Sequence, residues 1–344
     1  VGRRGPPVRA VDDVSLEIHT GETFGVVGET GSGKSTLGRL ALRLVEPSAG
    51  RIVFDGRDIT ELSVGAMRGL RREMQMVFQD PYGSLDPRMK VADIVAEPMR
   101  VHGIDRKTIR ARTAEILAQV GLSPAMAGRY PHEFSGGQRQ RIGIARAMAL
   151  DPKLLVLDEP VSALDVSIQA QILNLLRDIQ RRTGVAYLFI AHDLSVVRHI
   201  SDRIAVMYLG RIVEMADRDK LYRAPRHPYT ASLLSAVPVP DRAVERRRRR
   251  IALHGEIGSA TAIPTGCRFH PRCFKARVLA ENRRAPLATT AAGTFPRRCV
   301  EEDPILLSDA DGTDVACHFP MEPGEFALAA PSAASSPATM ETSQ

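Results

Sequence analysis

The segment Gly28-Glu29-Thr30-Gly31-Ser32-Gly33-Lys34-Ser35, followed by Thr36, constrains this chain more than any other. It fits G-x-x-x-x-G-K-[ST], in which glycines let backbone N–H groups surround a phosphate and the next helix N-terminus adds positive potential. Such a loop belongs between a strand and a helix, and both are written around it. Thr23 to Val27 is an apolar run of the kind that makes a fully buried strand, and Leu37, Leu40, Ala41 and Leu44 then recur at helical spacing. Strand, glycine-rich loop and helix in that order predict an α/β fold with a P-loop nucleotide-binding core. Lys34 is expected to reach the β- and γ-phosphates of ATP. Ser35 is expected to place its hydroxyl on Mg²⁺, a hard cation that takes oxygen ligands.

The remaining pattern extends that core. Val14, Leu16 and Ile18 alternate as in a half-buried strand, so two strands are predicted to open the domain. Met74, Met76 and Phe78 alternate again, whereas residues from about 91 to 150 carry helical patterns and no strand, which predicts an inserted helical subdomain. Leu154 to Leu157 and Val185 to Ala191 read as buried parallel strands with a helix from Val166 to Arg182 between them. Ligands of open α/β sheets sit at the carboxyl ends of such strands, and Asp158 and Glu159 end the first one. Asp158 is predicted to hold Mg²⁺ through water, and Glu159 to orient and deprotonate the attacking water. Ser135-Gly136-Gly137-Gln138 opens another helical pattern, with Ser135 placed as its N-cap. A second phosphate site at that helix N-terminus follows.

Composition excludes several classes. The 344 residues are 44% hydrophobic, enough to bury a sizeable core, yet no stretch approaches the roughly 18 apolar residues of a membrane span, and Val1-Gly2-Arg3-Arg4 is not followed by the apolar stretch expected of a signal peptide. Five of the charges behind the net +7 form one run, Arg246 to Arg250. That run reads first as a solvated linker, then as a contact for anionic lipid. Nucleic acid comes last, because no aromatic residues are interleaved to stack on bases. All four cysteines, Cys267, Cys273, Cys299 and Cys317, fall late in the chain, which points to reduced thiols or metal ligands rather than disulfides. Beyond Tyr222 the prolines, arginines and cysteines change the texture. The predicted units are therefore a nucleotide-binding domain over 1–222, an extension over 223–322 and a disordered Ala/Ser/Pro-rich tail over 323–344.

With the P-loop at Gly28, Ser-Gly-Gly-Gln at Ser135, Asp158-Glu159, and His192 thirty-four residues beyond Asp158, the chain resembles the ATP-binding-cassette (ABC) ATPases. The resemblance implies that Gln79 links Mg²⁺ to a transmembrane partner, that Asp165 makes a contact across a dimer, and that His192 senses the γ-phosphate. It also implies that Ser135, Gly136, Gly137 and Gln138 act on the ATP of a second cassette. An adenine-stacking aromatic usually precedes the first strands, yet the first aromatic here, Phe24, lies inside one. Phe78-Gln79-Asp80-Pro81-Tyr82-Gly83-Ser84-Leu85-Asp86-Pro87-Arg88, Pro160 to Gln171 and His227-Pro228-Tyr229-Thr230 are similar to the ATPases of dipeptide and oligopeptide importers. The likeness runs over about residues 10 to 320. It implies a peripheral subunit on the cytoplasmic face of the membrane, paired with an unlike ATPase subunit and two permeases and serving a solute-binding protein. Related systems carry nickel or glutathione. The alternative is a soluble cassette ATPase acting on DNA or ribosomes; those carry tandem cassettes or long coiled coils, and this chain has one cassette and no sustained heptads. The cysteine segment resembles one in peptide importers where four thiolates can hold a [4Fe–4S] cluster, while a zinc site or metal-free thiols remain alternatives.

Overall fold

In the computed structural model, which describes residues 8–80, 83–238, 250–253, 255, 258–322 and 324–326, the apolar run Thr23–Val27 forms β1 with every residue buried. Pro81, Tyr82, Arg246 to Arg249 and the tail from residue 327 lie outside the described residues. The loop after β1 leads into α1 (Lys34–Ala41), and a small hairpin of β2 (Val53–Phe54) and β3 (Arg57–Asp58) precedes α2 (Val64–Leu70) and β4 (Met74–Val77). Residues from 91 onward fold as α3 (Val91–Val101), α4 (Arg106–Gln119) and α5 (Gly136–Met148). The α/β alternation then resumes with β5 (Leu154–Asp158), α6 (Val166–Thr183), β6 (Ala186–Ala191), α7 (Leu194–Ile200) and β7 (Arg203–Tyr208).

The strands β7, β1, β6, β5 and β4 lie side by side in parallel. Both faces of this sheet are covered, which is why its strands read as unbroken apolar runs. Phe24, Val26, Val156, Leu188 and Ile190 pack on one side with Leu37 of α1, whereas Val27, Leu155, Leu157, Tyr187 and Phe189 pack on the other with Ile142, Ile172 and Val197. Truncating a fully buried ring such as Phe189 to alanine would cost about 3–5 kcal/mol. A side chain at Gly38 would lie 2.8 Å from Ile190 and 2.9 Å from Val156, so glycine is what lets α1 lie flush on the sheet.

After β7 the sheet turns antiparallel. β8 (Arg211–Asp217) pairs with β7, and two late strands, β11 (Leu307–Ser308) and β12 (Asp314–Val315), extend its edge. Between them come α8 (Arg218–Arg223), α9 (Pro228–Ala236), α10 (Phe274–Glu281), the β9 (Leu287–Thr290) and β10 (Gly293–Pro296) hairpin, and α11 (Arg297–Glu301). Residues beyond Tyr222 thus add strands to the same sheet.

The alternation of Val14, Leu16 and Ile18 does not make a strand. Both hydrogen-bonding edges of β1 are taken by β6 and β7, and the three residues pack half-buried against the core without entering a ladder. Phe78 likewise falls one residue beyond β4 and is 41% exposed, and Leu44 lies past the end of α1.

Candidate nucleotide site

Four neighbouring parallel strands deliver the predicted residues to one edge of the sheet: β1 runs into the P-loop, β6 into His192, β5 into Asp158 and Glu159, and β4 towards Gln79. The P-loop is pressed against its surroundings. A Cβ at Gly28 would meet the Met207 carbonyl oxygen at 2.1 Å, and Gly33, at φ 104°, would meet that of Ala10 at 1.9 Å. Only glycine fits both. Gly31 is also in the left-handed region, Thr30 is exposed, Ser32 is buried, and Thr36 sits half-buried in the first turn of α1.

Lys34 is buried, and its Nζ donates to the carbonyls of Gly28 at 2.7 Å and Glu29 at 2.9 Å and to Ser32 Oγ at 3.4 Å. Burial pushes this ammonium below the ordinary lysine range, while Glu159, Asp158 and Glu29 pull it back. Ser35 Oγ donates to Asp158 Oδ1 at 2.9 Å, so the hydroxyl and the carboxylate expected to share Mg²⁺ are adjacent. Burial raises Asp158 above the usual carboxylate range, opposed by that hydrogen bond.

Glu159 leaves β5 at φ 46°, a conformation uncommon for a residue with a side chain. Its Oε2 accepts from Gln79 Nε2 at 2.8 Å and lies 3.2 Å from His192 Nδ1. Gln79, Asp158, Glu159, His192, Lys34 and Ser35 therefore form one constellation. Ser135, Gly136, Gly137, Gln138 and Asp165 make local contacts instead. Ser135 caps α5 by accepting from the Gln138 N–H at 3.4 Å, while the Gln138 side chain accepts from the Ser135 N–H at 3.0 Å. A side chain at Gly137 would meet Ile168 at 2.5 Å, and Asp165 caps α6 through the Ile168 N–H at 3.0 Å.

Two contacts to the P-loop carried no recognisable signal in the sequence. The Glu29 N–H donates to Tyr229 Oη at 3.0 Å, and Arg272 grips the Glu29 carboxylate through both terminal nitrogens, at 2.6 and 3.0 Å. Tyr229 stands within one of the quoted motifs, but nothing in the spacing marks Arg272 as a neighbour of the loop.

Cys267, Cys273, Cys299 and Cys317 are unpaired and line one small cavity together with His270 and His318. Burial pushes Cys267 up to about 11 and Cys273 and Cys299 up to about 12, and raises Cys317 as well. Among the described residues, no three His, Cys, Asp or Glu side chains form a group that could hold a metal ion.

The profile of the ABC transporter family matches residues 11–162, and that of the oligopeptide/dipeptide transporter C-terminal region matches residues 213–278. A probable peptide ABC transporter ATP-binding protein of Sinorhizobium fredii is 51% identical over 340 residues, covering 98% of this chain and 90% of that protein. The chain belongs to the ABC transporter family. An oligopeptide transport ATP-binding protein of Bacillus subtilis is 49% identical over 321 residues, 92% of this chain and 91% of its own. Among solved structures, a component of an ABC transporter complex of Clostridium perfringens superposes with TM-score 0.58 at 30% identity, over 62% of this chain and 84% of that one. A cassette solved as a dimer after hydrolysis, with ADP and Pi bound, superposes with TM-score 0.56 at 29% identity, over 61% of this chain and 90% of that one. This ABC protein is an ATPase with the cassette fold. None of its described helices is long and apolar enough to cross a membrane.

Proposed function

We propose that this chain is the subunit that hydrolyses ATP to drive a membrane importer of dipeptides and oligopeptides. The observation that carries the reading is the convergence of Lys34, Ser35, Gln79, Asp158, Glu159 and His192 at the carboxyl edge of one sheet. The peptide assignment is supported by relatives that match along nearly the whole chain.

The substrate is MgATP. Backbone N–H groups from Gly28 to Thr36 receive the phosphates, and Lys34 turns from the loop carbonyls to the β- and γ-oxygens. Ser35, Asp158 and Gln79 hold the Mg²⁺ side of the substrate. Glu159 takes a proton from water as the water oxygen bonds to the γ-phosphorus and ADP departs, and His192 steadies both the carboxylate and the transferred phosphoryl group. Ser135, Gly136, Gly137, Gln138 and Asp165 then serve the ATP of a second, unlike cassette. The dimeric form of a similar cassette supports the pairing of two cassettes. Two permeases and, through them, a solute-binding protein complete the partners, with this chain peripheral at the cytoplasmic face; no nucleic acid is involved. Residues 1–222 are the motor, with a helical subdomain over about 91–150. Residues 223–322 are the extension of this transporter type.

The cysteine cavity is the seat of a structural [4Fe–4S] cluster in the same reading. Three buried thiols and a partly buried fourth, Cys317, lining one cavity favour it, although as placed they form no ready ligand group and must close in to hold one. The cluster would supply stability, and no step of hydrolysis uses it. Anaerobically purified protein should be brown with about four irons per chain. Colourless protein with zinc or no metal overturns this part.

Uptake of labelled peptides by cells carrying Glu159→Gln tests the transport reading. Peptide uptake is expected to stop. Undiminished peptide uptake with loss of nickel or glutathione uptake overturns the cargo, and no change in any uptake overturns the transport role.

A further inference from the structure

Glu29 is the second residue of the P-loop, and its carboxylate is near enough to act on the Lys34 ammonium, at the loop that receives the strongly anionic triphosphate in the reading proposed above. A carboxylate in that place repels the ligand unless a cation neutralises it. The cation is Arg272, which arrives from 243 residues further along the chain. Its fork makes two parallel bonds to Glu29, the geometry in which arginine binds a carboxylate most strongly. Only 8% of the Arg272 side chain and 21% of that of Glu29 are exposed, so solvent screens the pair weakly.

Arg272 is held in turn. It ends a short turn, His270–Arg272, whose N–H groups at Arg272 and Cys273 donate to the carbonyls of Phe269 and His270. Phe269 packs against Tyr208 and Tyr229 with ring centroids 5.3 and 5.2 Å apart, and Tyr229 is the residue whose hydroxyl accepts the Glu29 N–H. The side chain and the backbone of Glu29 are thus fastened by two separate pieces of the C-terminal segment. Lys34 bonds the carbonyls of Gly28 and Glu29, so a shift at Glu29 reaches Lys34 directly.

We propose that Arg272 is a positioning residue of the nucleotide site: it neutralises Glu29 and fixes the first half of the P-loop, so that the C-terminal segment sets the affinity for ATP. The inference rests on the P-loop being the ATP site.

The test is binding of a fluorescent ATP analogue with Mg²⁺ to the full chain, together with thermal melting, for the wild type, Arg272→Met, Arg272→Lys, Glu29→Gln and the Arg272→Met/Glu29→Gln double variant. Arg272→Met should weaken binding about tenfold, within the roughly 5- to 150-fold range of coupling between linked sites. Arg272→Lys keeps the charge without the fork and should fall between it and the wild type. The double variant removes the stranded carboxylate and should bind more tightly than Arg272→Met, a recovery that a merely structural role would not produce. If Arg272→Met does not fold, Arg272→Lys and the double variant decide. Affinities within about twofold of the wild type for the folded Arg272 variants, against the coupling range above, overturn the inference. A wild-type chain that fails to bind the analogue overturns the ATP-site reading instead.

Discussion

Gln79 Nε2 donates to Glu159 Oε2 at 2.8 Å, joining residues eighty positions apart. The bond spans the carboxyl ends of β4 and β5, which pair in parallel from Met74 opposite Leu154 to Val77 opposite Leu157. Glu159 is thereby aimed by its neighbour strand as well as by its own turn out of β5.

Gln79→Ala should therefore loosen the carboxylate without disturbing the phosphate loop. Turnover is expected to fall by up to about 100-fold, the cost of misplacing a reacting group by roughly an ångström, and by more than the affinity for MgATP, to which Gln79 adds a single contact on the metal side. Steady-state phosphate release and equilibrium binding, measured on the same preparation, check this. An equal loss in both would assign Gln79 to ground-state binding instead.

Lys34→Ala should abolish ATP binding. Charge-assisted hydrogen bonds contribute about 1.5–3 kcal/mol each, and the lysine is positioned to make them to two phosphates. Calorimetric titration with ATP should give no detectable heat of binding. Binding at wild-type affinity would place the phosphates elsewhere.

The cysteine cavity sets a pH window. The three thiols raised to about 11 or 12 have folded values above the ordinary 9.0, so their contribution to stability is complete below 9 and is lost as pH rises through 11 to 12. Metal-free protein should therefore lose stability in that window. At pH 8 its thiols should react with a disulfide reagent far more slowly than the four thiols of the denatured chain. Equal rates in both states would contradict the burial.

Glu214 sets a second window. Fully buried, it accepts the N–H groups of Arg226 at 2.7 Å and His227 at 2.8 Å, and burial pushes its carboxyl up to about 7 from 4.5. A raised folded value means that the stabilising contribution is complete below pH 4.5 and declines as pH rises towards 7. Glu214→Gln should remove that slope from the unfolding free energy, as read by denaturant melts between pH 5 and 8. An unchanged slope would assign it to other groups.

Much of this was legible in the sequence because the P-loop and the strand ends are local in the chain. A G-x-x-x-x-G-K-[ST] run names its own strand and helix, and Asp158-Glu159 follows directly from an apolar strand. The false strand at Val14, Leu16 and Ile18 shows the limit of periodicity, which reports a buried face and not whether a ladder partner is free. The fork between Arg272 and Glu29 was illegible for another reason. No pattern links residues 243 positions apart, and only the packing of Phe269 on Tyr208 and Tyr229 brings them together.

The central claim is that Glu159 is the base of an ATPase completed by a second cassette, and Glu159→Gln in the assembled transporter tests it most directly. Nucleotide affinity and phosphate release should be measured on one sample. The variant keeps the phosphate cradle, so it should bind MgATP as the wild type does, hold the two cassettes closed, and release phosphate about 10²- to 10⁴-fold more slowly. Wild-type phosphate release from Glu159→Gln would contradict the account.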